Sequence, residues 1–381
     1  MLESFLASKP LYYDEIDYDR MPRTYARIKS FLPTPKIIHL IGTNGKGTTG
    51  RFLATALYNN SFKVGHYTSP HIKEFGERIW LDGKNSTKEM LDNAHKELQI
   101  ILTKEESDAL SYFEYTTFLA MILFKEMDFV VLEAGLGGER DATAVFEKTL
   151  TLVTPIAKDH EAFLGDTIES IATTKLKAIQ QSAILAKQKF ENVYTVAKIL
   201  QQENGFELYR VEEYLSQEEK DFAQTISQQL QLPTYQKENL EVTLSALKYL
   251  GINTKEEDFK DARLFGRLTK LSKNVVIDVG HNLLATEAIL KSLAPKKYVL
   301  IYNTYKDKDY KAILKTLSPI VKRVEIIDIE YERIEKREKV QDAIVDAGLS
   351  FSSYKGIVED EDYLVFGSFK VVEEFLENFN G

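Results

Sequence analysis

The chain has 381 residues, of which 44% are apolar and 28% are charged, and its net charge is −9. This length exceeds the size at which one hydrophobic core usually keeps growing, so we expect two domains. The negative net charge argues against a surface dominated by nucleic-acid or anionic-membrane binding, although it leaves room for a local basic pocket. Because the chain contains no cysteine, disulfides, thiol nucleophiles and thiolate metal sites are excluded.

The amino-terminal stretch MLESFLASKPLYYDEIDYDR is acidic and aromatic, and it lacks the charged-then-apolar pattern of a secretion signal. No segment reaches the roughly 18 consecutive apolar residues that a membrane-spanning helix needs. We therefore expect a cytoplasmic protein without a nucleic-acid or membrane partner.

Short β-rich runs alternate with longer helical patterns, which is typical of a mostly parallel sheet covered by helices. Runs such as FVVLEAG and NVVIDVG are apolar at consecutive positions, as expected for strands buried on both faces. The predicted strands cover 36–41, 64–68, 128–133, 150–155, 183–186, 274–278, 298–302, 324–328 and 363–366. The predicted helices cover 48–59, 115–125, 167–180, 239–250 and 283–293.

Three polar stretches indicate surface structure, a domain boundary or the start of a helix. The glutamine-rich run 216–239 predicts surface structure ahead of a helix, and the charged stretch 251–267 predicts a domain junction near residue 262. The mixed charges of 330–339 predict the solvated start of a helix.

The stretch IIHLIGTNGKGTTGRFL, residues 37–53, predicts a strand that ends in a glycine-rich turn and opens a helix. Such a turn presents backbone N–H groups at the positive end of a helix, which suits phosphate. Lys46 would add a positive charge near the terminal phosphates, and the Thr48 hydroxyl would serve phosphate-bound Mg²⁺. Leu40 stands where the usual phosphate loop needs a glycine, so a turn without a ligand is the alternative.

Two further candidates follow predicted strands. Glu133 ends a buried strand at the edge where ligand sites in open α/β sheets lie, and a carboxylate there is costly unless it is paired or metal-bound. His160, beside Asp159, hints at a second divalent ion with a softer ligand set. His39 and His95 are expected to be structural or solvated, and His66 is expected to be structural.

Together these features predict binding of ATP with Mg²⁺, because Mg²⁺ usually takes one or two carboxylates plus phosphate oxygens. They do not by themselves separate a kinase, an ATPase motor and an ATP-driven ligase. The GLGG run at 135–138 has the wrong spacing for a dinucleotide fingerprint.

The motifs resemble those of the dihydrofolate synthase/folylpolyglutamate synthases, the folate branch of the Mur ligase superfamily. They occur in the family's order over most of the chain, and the residues EIDYDR (15–20) resemble its amino-terminal folate-contacting segment. The matching stretches are GTNGKGTT (42–49), YTSPHIKEFGERI (67–79), SYFEYTTF (111–118), LEAGLGGERDAT (132–143), DHEAFLGDT (159–167), FGRL (265–268), DVGHN (278–282) and GSF (367–369).

The resemblance implies an α/β fold with two domains. Residues 1–262 would form an ATP- and folate-binding domain with a P-loop-like, mostly parallel sheet of the Mur ligase central type. Residues 263–381 would form a smaller Rossmann-like domain that closes over the nucleotide.

The resemblance also implies an ATP-dependent ligase that phosphorylates a substrate carboxylate and lets the amine of L-glutamate attack the acyl phosphate. The acceptor would be dihydropteroate, a reduced folate or both, and the match of SYFEYTTF to the two-activity bacterial form favours both. A monomer is expected.

Nucleotide and metal roles follow from the matched motifs. Thr48 and Glu133 would hold one Mg²⁺ and His160 a second metal. The catalytic set would comprise Lys46, Lys175, Asp278 and His281. The implied ATP contacts are Asn44, Gly45, Lys46, Gly47, Thr48, Thr49, Asn239, Arg267 and Asp278; a strand-terminal aspartate such as the last could instead be a helix cap.

The family carries a carbamylated lysine that maps to Lys175 in IATTKLKAI. Here Thr174 replaces an acid, and Leu176 and Lys177 replace small residues, but Lys177 lies on a different helical face, so Lys175 is preferred. A second departure from the family's motif is the order Glu139-Arg140, because the arginine normally comes first in that motif.

The resemblance places acceptor recognition at SYFEYTTF, with rings to stack on the pterin and polar groups for its edge. A helix start with core aromatics is the alternative. The implied acceptor-site residues are Asp17, Ser69, Pro70, His71, Phe113, Glu114, Tyr115 and Thr116.

Two other functions share part of this pattern. A peptidoglycan Mur ligase shares the loop and the two-metal site, but no uridine-nucleotide-binding domain is obvious ahead of the loop. A non-catalytic ATP-binding switch would need Lys46 and Arg267 but would have no use for Lys175 and His160 together.

Overall fold

The computed structural model describes residues 1–10 and 17–379. Glu15 and Ile16 of the EIDYDR motif therefore lie outside the described residues. The chain divides into two units. Unit 1 contains 1–232 and 236–263, and unit 2 contains 233–235 and the residues from Leu264 onward.

Unit 1 is built on a large sheet with helices on both faces. Its strands are β1 (Lys36–Ile41), β2 (Val64–Tyr67), β3 (Ile79–Leu81), β4 (Lys84–Asn85), β5 (Phe129–Glu133), β6 (Leu150–Val153), β7 (Ser182–Leu185) and β8 (Glu207–Arg210). Its helices are α1 (Leu2–Ala7), α2 (Arg20–Ile28), α3 (Lys46–Asn59), α4 (Lys88–Ile101), α5 (Lys104–Ala109), α6 (Tyr112–Leu123), α7 (Glu161–Leu164), α8 (Ile168–Leu176), α9 (Glu191–Asn204), α10 (Val211–Tyr214), α11 (Gln217–Gln229) and α12 (Thr234–Tyr249).

The strand order of this sheet is β4-β3-β2-β5-β1-β6-β7-β8. Strands β2, β5, β1, β6, β7 and β8 run parallel, whereas β3 and β4 pair antiparallel at one edge. Leu40 of β1 lies opposite Glu133 of β5, and Ile41 lies opposite Val153 of β6. The segments after β1, β5 and β6 therefore leave the sheet at one edge, at a reversal of strand order where open α/β sheets bind ligands.

The core of unit 1 explains why its central strands are apolar throughout. Every residue of β5 is buried, and so is every residue of β1 after Lys36. Apolar residues of α3 and α12 cover one face, where Phe52 and Leu240 are fully buried. Helices α4 and α6 contribute to a second cluster that includes Phe118.

Unit 2 is a smaller α/β arrangement. Its described strands are β9 (Thr269–Lys270), β10 (Val275–Ile277), β11 (Tyr298–Tyr302), β12 (Val321–Ile326), β13 (Phe351–Ser353) and β14 (Tyr363–Phe366). Its helices are α13 (Leu283–Leu293), α14 (Tyr310–Leu317), α15 (Arg337–Asp346) and α16 (Phe369–Asn378). The strand order is β13-β12-β11-β14-β10-β9, and β9 is antiparallel to its neighbour while the others pair in parallel.

The structure corrects several predicted boundaries. Helix α12 begins at Thr234 rather than 239, and the polar run before it contains α11, whose start is capped by Ser216. Helix α15 begins only at Arg337, so most of the charged run 330–339 precedes it. Strand β12 begins at Val321, ahead of the predicted 324.

Within residues 1–10 and 17–379, no helix combines the length and apolar character that crossing a membrane requires.

Candidate active site

The glycine-rich loop between β1 and α3 is held in place by the segment that follows β6. The backbone N–H groups of Thr43 and Asn44 donate to the Pro155 carbonyl at 2.9 and 3.2 Å. Gly42 adopts φ +136° and Gly45 adopts φ +93°, a region that favours glycine. A side chain at Gly42 would also overlap Thr154, so tight packing and backbone conformation both require glycine there.

Two lysines converge on one carbonyl oxygen of this loop. Lys46 Nζ donates to the Gly42 oxygen at 3.1 Å, and Lys175 Nζ, from α8, donates to the same oxygen at 3.0 Å. Lys175 is buried, and burial together with the nearby Lys46 charge lowers its pKa to about 7, against the opposing charges of Asp159 and Asp141. The loop thus brings Lys46 beside an amine that loses its proton near neutrality.

Glu133 completes this group from the end of β5. Its Oε1 lies 3.9 Å from Lys46 Nζ, its Oε2 accepts from the Thr68 hydroxyl, and the Ser69 N–H lies 3.4 Å from the same oxygen. Lys46 and Glu133 therefore lie close together at one edge of the sheet. The parallel pairing of β1 with β5 produces this proximity, since it sets Glu133 opposite Leu40.

Lys177 is placed differently from Lys175. It follows the last residue of α8, is exposed and forms a 3.8 Å ion pair with Glu139. Of the two lysines, only Lys175 reaches the loop in the described structure. Gly138 lies against the Lys175 backbone, where an added side chain would come within 2.8 Å of its Cα.

His160 stands immediately before α7 in a left-handed conformation, with φ +53° and ψ +39°. This conformation is uncommon for a residue other than glycine, and such strain clusters at functional sites. Among residues 1–10 and 17–379, no three His, Asp or Glu side chains gather as a ready-made cation cage. The metal roles of Thr48, Glu133 and His160 therefore stay predictions.

Helix α12 contacts the loop through Asn239, the residue expected to face adenine. Asn239 is buried, and a side chain at Gly45 would lie 2.5 Å from its Oδ1. One turn further along, the Thr243 hydroxyl donates to the Thr49 carbonyl at 3.2 Å. Thr49 is fully buried, and its own hydroxyl has no hydrogen-bond partner in the described part of the chain.

The start of α6 meets the amino-terminal segment that resembles the family's folate contact. Arg20 places its Nε 2.9 Å and its Nη2 2.8 Å from Glu114 Oε2, and both side chains are mostly buried. The Phe113 ring lies beside Gly135, where an added Cβ would be 2.7 Å from the ring. Asp17 is exposed, accepts from the Arg20 N–H at 3.1 Å and pairs with Arg23.

Tyr115 and Thr116, two of the predicted acceptor contacts, lie in the core of unit 1. Both are fully buried. The Tyr115 hydroxyl bonds to His95 Nδ1 at 2.7 Å, and the Thr116 hydroxyl bonds to the Tyr67 hydroxyl at 2.8 Å. These contacts favour the alternative of a core position for both residues, and their part in acceptor binding stays a prediction.

The loop after β2 carries the three remaining acceptor candidates, Ser69, Pro70 and His71. Arg78 Nε donates to His71 Nδ1 at 2.7 Å. Burial and the Arg78 charge lower the His71 pKa to about 4, so this imidazole is neutral at physiological pH.

In unit 2, Asp278 organises the loops that carry the other predicted residues. Its oxygens accept from the Leu268 N–H at 2.8 Å, the Gly280 N–H at 2.7 Å and the Tyr235 hydroxyl at 3.4 Å. Burial raises its pKa, while the charge of Arg267 lowers it. Protein donors thus bond to both oxygens, so Asp278 positions the loops on either side of it, and its contact with the nucleotide stays a prediction.

Three unit 2 motifs meet around Phe369. The Arg267 guanidinium lies 5.1 Å from the centroid of this ring, and the His281 ring centroid lies 6.4 Å from it. FGRL, DVGHN and GSF therefore form one cluster within unit 2, and the nucleotide contacts of Arg267 and His281 stay predictions.

One network was missed by sequence reasoning. Asp141 accepts from the backbone N–H groups of Gly135 and Leu136 at 3.0 and 2.8 Å and from the Thr143 hydroxyl at 2.6 Å. His39 Nε2 lies 2.7 Å from the same hydroxyl, and burial holds the His39 pKa well below its usual value. The sequence signal for this network was the DAT triplet at 141–143. His39 could not be assigned to it, because His39 lies about 100 residues away and no local pattern links the two.

Comparison with known proteins shows the family of the whole chain. No family model matches the chain. The dihydrofolate synthase/folylpolyglutamate synthase of Escherichia coli (strain K12) is 31% identical over 390 residues, which cover 95% of this chain and 91% of that protein.

Two solved structures extend the similarity to the fold. The crystal structure of Helicobacter pylori folylpolyglutamate synthetase is 39% identical with a TM-score of 0.80, over 99% of this chain and 97% of that one. E. coli FolC in complex with DHPP and ADP is 26% identical with a TM-score of 0.81, over 98% and 96% of the two chains.

The fold and the site thus define an ATP-dependent ligase with the α/β architecture of the Mur type. The chain belongs to the dihydrofolate synthase/folylpolyglutamate synthase family. The predicted fold class and enzyme class are confirmed, and neither the peptidoglycan Mur ligase nor the non-catalytic switch is favoured.

Replacing Gly45 with alanine tests the loop geometry. The added Cβ would meet Asn239 Oδ1 at 2.5 Å and would force a non-glycine residue to φ +93°. We expect the KM for ATP to rise at least tenfold, together with a loss of about 1–2 kcal/mol in stability from the left-handed conformation. Steady-state kinetics and thermal unfolding measure the two effects.

The matched control is Gly205→Ala, because Gly205 has φ +74° with nothing within 4 Å of an added Cβ. This variant is expected to lose similar stability and to keep the wild-type KM for ATP. An equal rise of KM in both variants would show that general destabilisation, not the loop, is responsible.

Proposed function

We propose that this chain joins L-glutamate to dihydropteroate and to reduced folates, at the expense of ATP and through an acyl phosphate. The observation that carries the proposal is that Lys46 and Lys175 both donate to the Gly42 carbonyl oxygen. Glu133 adds a carboxylate whose Oε1 lies 3.9 Å from Lys46 Nζ. Such a group of charges at a glycine-rich helix start suits the terminal phosphates of ATP.

The chemistry explains why ATP is needed. A carboxylate is a poor electrophile, because an amine meets an anion with no good leaving group. Transfer of a phosphoryl group to the carboxylate removes its resonance and supplies that leaving group; attack by the glutamate amine then forms the amide and releases phosphate. The protein contributes mainly positioning and charge neutralisation.

The loop 44–49 would hold the phosphates through backbone N–H groups, and Lys46 would neutralise their charge. Asn239 beside Gly45 is the proposed contact to adenine. In unit 2, taken by itself, Arg267 and His281 are the proposed nucleotide contacts.

The donor atoms of unit 1 fit divalent metal ions. Thr48 and Glu133 offer oxygen, the ligand that Mg²⁺ prefers, and Glu133 is a buried carboxylate of the kind that needs a cation. His160 offers nitrogen, so we assign it to a second ion. Bound metal would supply further charge neutralisation at the phosphates.

We also propose that Lys175 is carbamylated. Only a neutral amine attacks carbon dioxide, and a pKa of about 7 makes that form available near neutrality. The reaction forms an N–C bond, releases one proton and leaves an anion. It would turn the repulsion between Lys175 and Lys46 into attraction and create an oxygen ligand for metal.

The proposed acceptor site lies at the first turn of α6, where Arg20 binds Glu114 and Phe113 lies beside Gly135. The E. coli structure with DHPP and ADP supports a pteroate acceptor. We further propose that the protein acts in the cytoplasm as a monomer on small molecules alone.

Acceptor-dependent phosphate release tests the function. The protein is incubated with ATP, Mg²⁺ and L-glutamate, and dihydropteroate or tetrahydrofolate is added separately. We expect phosphate release with each acceptor, and Lys46→Ala is expected to lower it about a hundredfold, as for loss of a preorganised charge contact. Release that ignores both acceptors would contradict the proposal, and near-normal turnover by Lys46→Ala would contradict the phosphate-loop assignment.

Carbamylation predicts a pH and bicarbonate dependence. Because the Lys175 pKa is lowered to about 7, the reactive amine accumulates as the pH rises through that value, and turnover is expected to rise with it. A carbamate resonance from ¹³C-labelled bicarbonate should appear in NMR spectra of the wild type and be absent in Lys175→Met.

Lys177→Met is the control, because Lys177 is exposed and paired with Glu139. It should keep both the carbamate resonance and turnover. Full activity of Lys175→Met, or loss of the resonance in Lys177→Met, would contradict the assignment.

A further inference from the structure

Within unit 1, two arginine contacts hold the amino-terminal segment 17–20 against α6 and the turn after β5. Arg20, from the segment itself, binds Glu114 at the start of α6 at 2.8 Å. Arg140, from the turn after β5, places its guanidinium 4.2 Å from the centroid of the Tyr18 ring. We call Tyr18 and Arg140 the clasp.

The turn that carries Arg140 is itself firmly held. Asp141, the next residue, accepts the backbone N–H groups of Gly135 and Leu136. Gly138 lies against the Lys175 backbone, and Glu139 pairs with Lys177 at 3.8 Å. The two adjacent charges of Glu139-Arg140 therefore have different partners, and Arg140 projects from a fixed support.

The other side of the clasp is also anchored. Asp17 accepts the backbone N–H groups of Asp19 and Arg20 at 3.0 and 3.1 Å, which fixes the start of α2. Tyr18 lies between these anchored residues and is 48% exposed. Its contact with Arg140 thus joins two segments that are each held independently.

We propose that Arg140 is a positioning residue that fastens the segment 17–20 beside the first turn of α6 and thereby sets the KM for the acceptor. This inference rests on the proposed function, since it takes that turn as part of the acceptor site. Arg140 is not among the residues assigned to the chemical step, so it affects acceptor binding and not turnover at saturation.

Arginine suits this role better than lysine. Its planar guanidinium stacks on an aromatic face while its edge stays hydrated, whereas an ammonium is a compact, strongly hydrated charge. Since both partners are exposed, their contact falls in the lower part of the cation–π range.

The experiment compares acceptor KM, ATP KM and kcat in variants of the full chain. Arg140→Leu and Tyr18→Ala are each expected to raise the acceptor KM about two- to fivefold, the factor that matches one exposed cation–π contact, with ATP KM and kcat unchanged. Tyr18→Phe keeps the ring, so its acceptor KM should rise less than that of Tyr18→Ala. Arg140→Lys should recover only part of the loss.

A double variant and a neighbouring variant separate loss of the clasp from independent effects of the two substitutions and from disturbance of the turn at Glu139. Tyr18→Ala combined with Arg140→Leu should be no worse than either single change, because both remove the same contact. Lys177→Met, which breaks the ion pair at the neighbouring Glu139, should leave the acceptor KM unchanged. Thermal unfolding should be unaltered in all variants, because the altered side chains are exposed.

An unchanged acceptor KM in Arg140→Leu or in Tyr18→Ala would overturn the clasp, and so would fully additive losses in the double variant. Absence of acceptor-dependent turnover in the wild type would instead overturn the proposed function, so the two failures are distinguishable.

Discussion

The candidate site depends on the crowding of positive charge around the Gly42 carbonyl. Two amines, Lys46 and Lys175, donate to this single oxygen, and one of them is buried. Two ammonium groups in such a place would repel each other, and burial adds a desolvation cost. The protein relieves both by lowering the Lys175 pKa to about 7 and by bringing Glu133 to 3.9 Å from Lys46. A polyphosphate would relieve the remaining charge further.

Buried aspartates support the loops around the predicted site residues in each unit. In unit 1, Asp141 accepts the N–H groups of two residues of the GLGG turn. In unit 2, Asp278 accepts the N–H groups of Leu268 and Gly280, which flank Arg267 and His281. Each carboxylate replaces the hydrogen bonds that an irregular backbone would otherwise make with water. Both loops can therefore be irregular in sequence and still present defined side chains.

The long, apolar elements were predictable, and the short ones were not. Strands 36–41, 298–302 and 363–366 and helix 283–293 occur as predicted, because their apolar runs and flanking polar residues act locally. Strands β4 and β9 have only two residues each, too few to show a period, and they exist because a neighbouring strand pairs with them. Helix α12 extends beyond its apolar part, which concealed its start.

The sequence by itself determined the alternation of strands and helices, the glycine-rich loop and the family resemblance, because these are carried by residues close together in the chain. Tertiary structure decided which neighbours within a motif serve which role. Along α6, Glu114 reaches Arg20, 94 residues away, while Tyr115 turns into the core toward His95. Lys175 reaches the loop and Lys177 does not. Successive helical positions point in different directions, and only the packed fold defines which direction leads to the site.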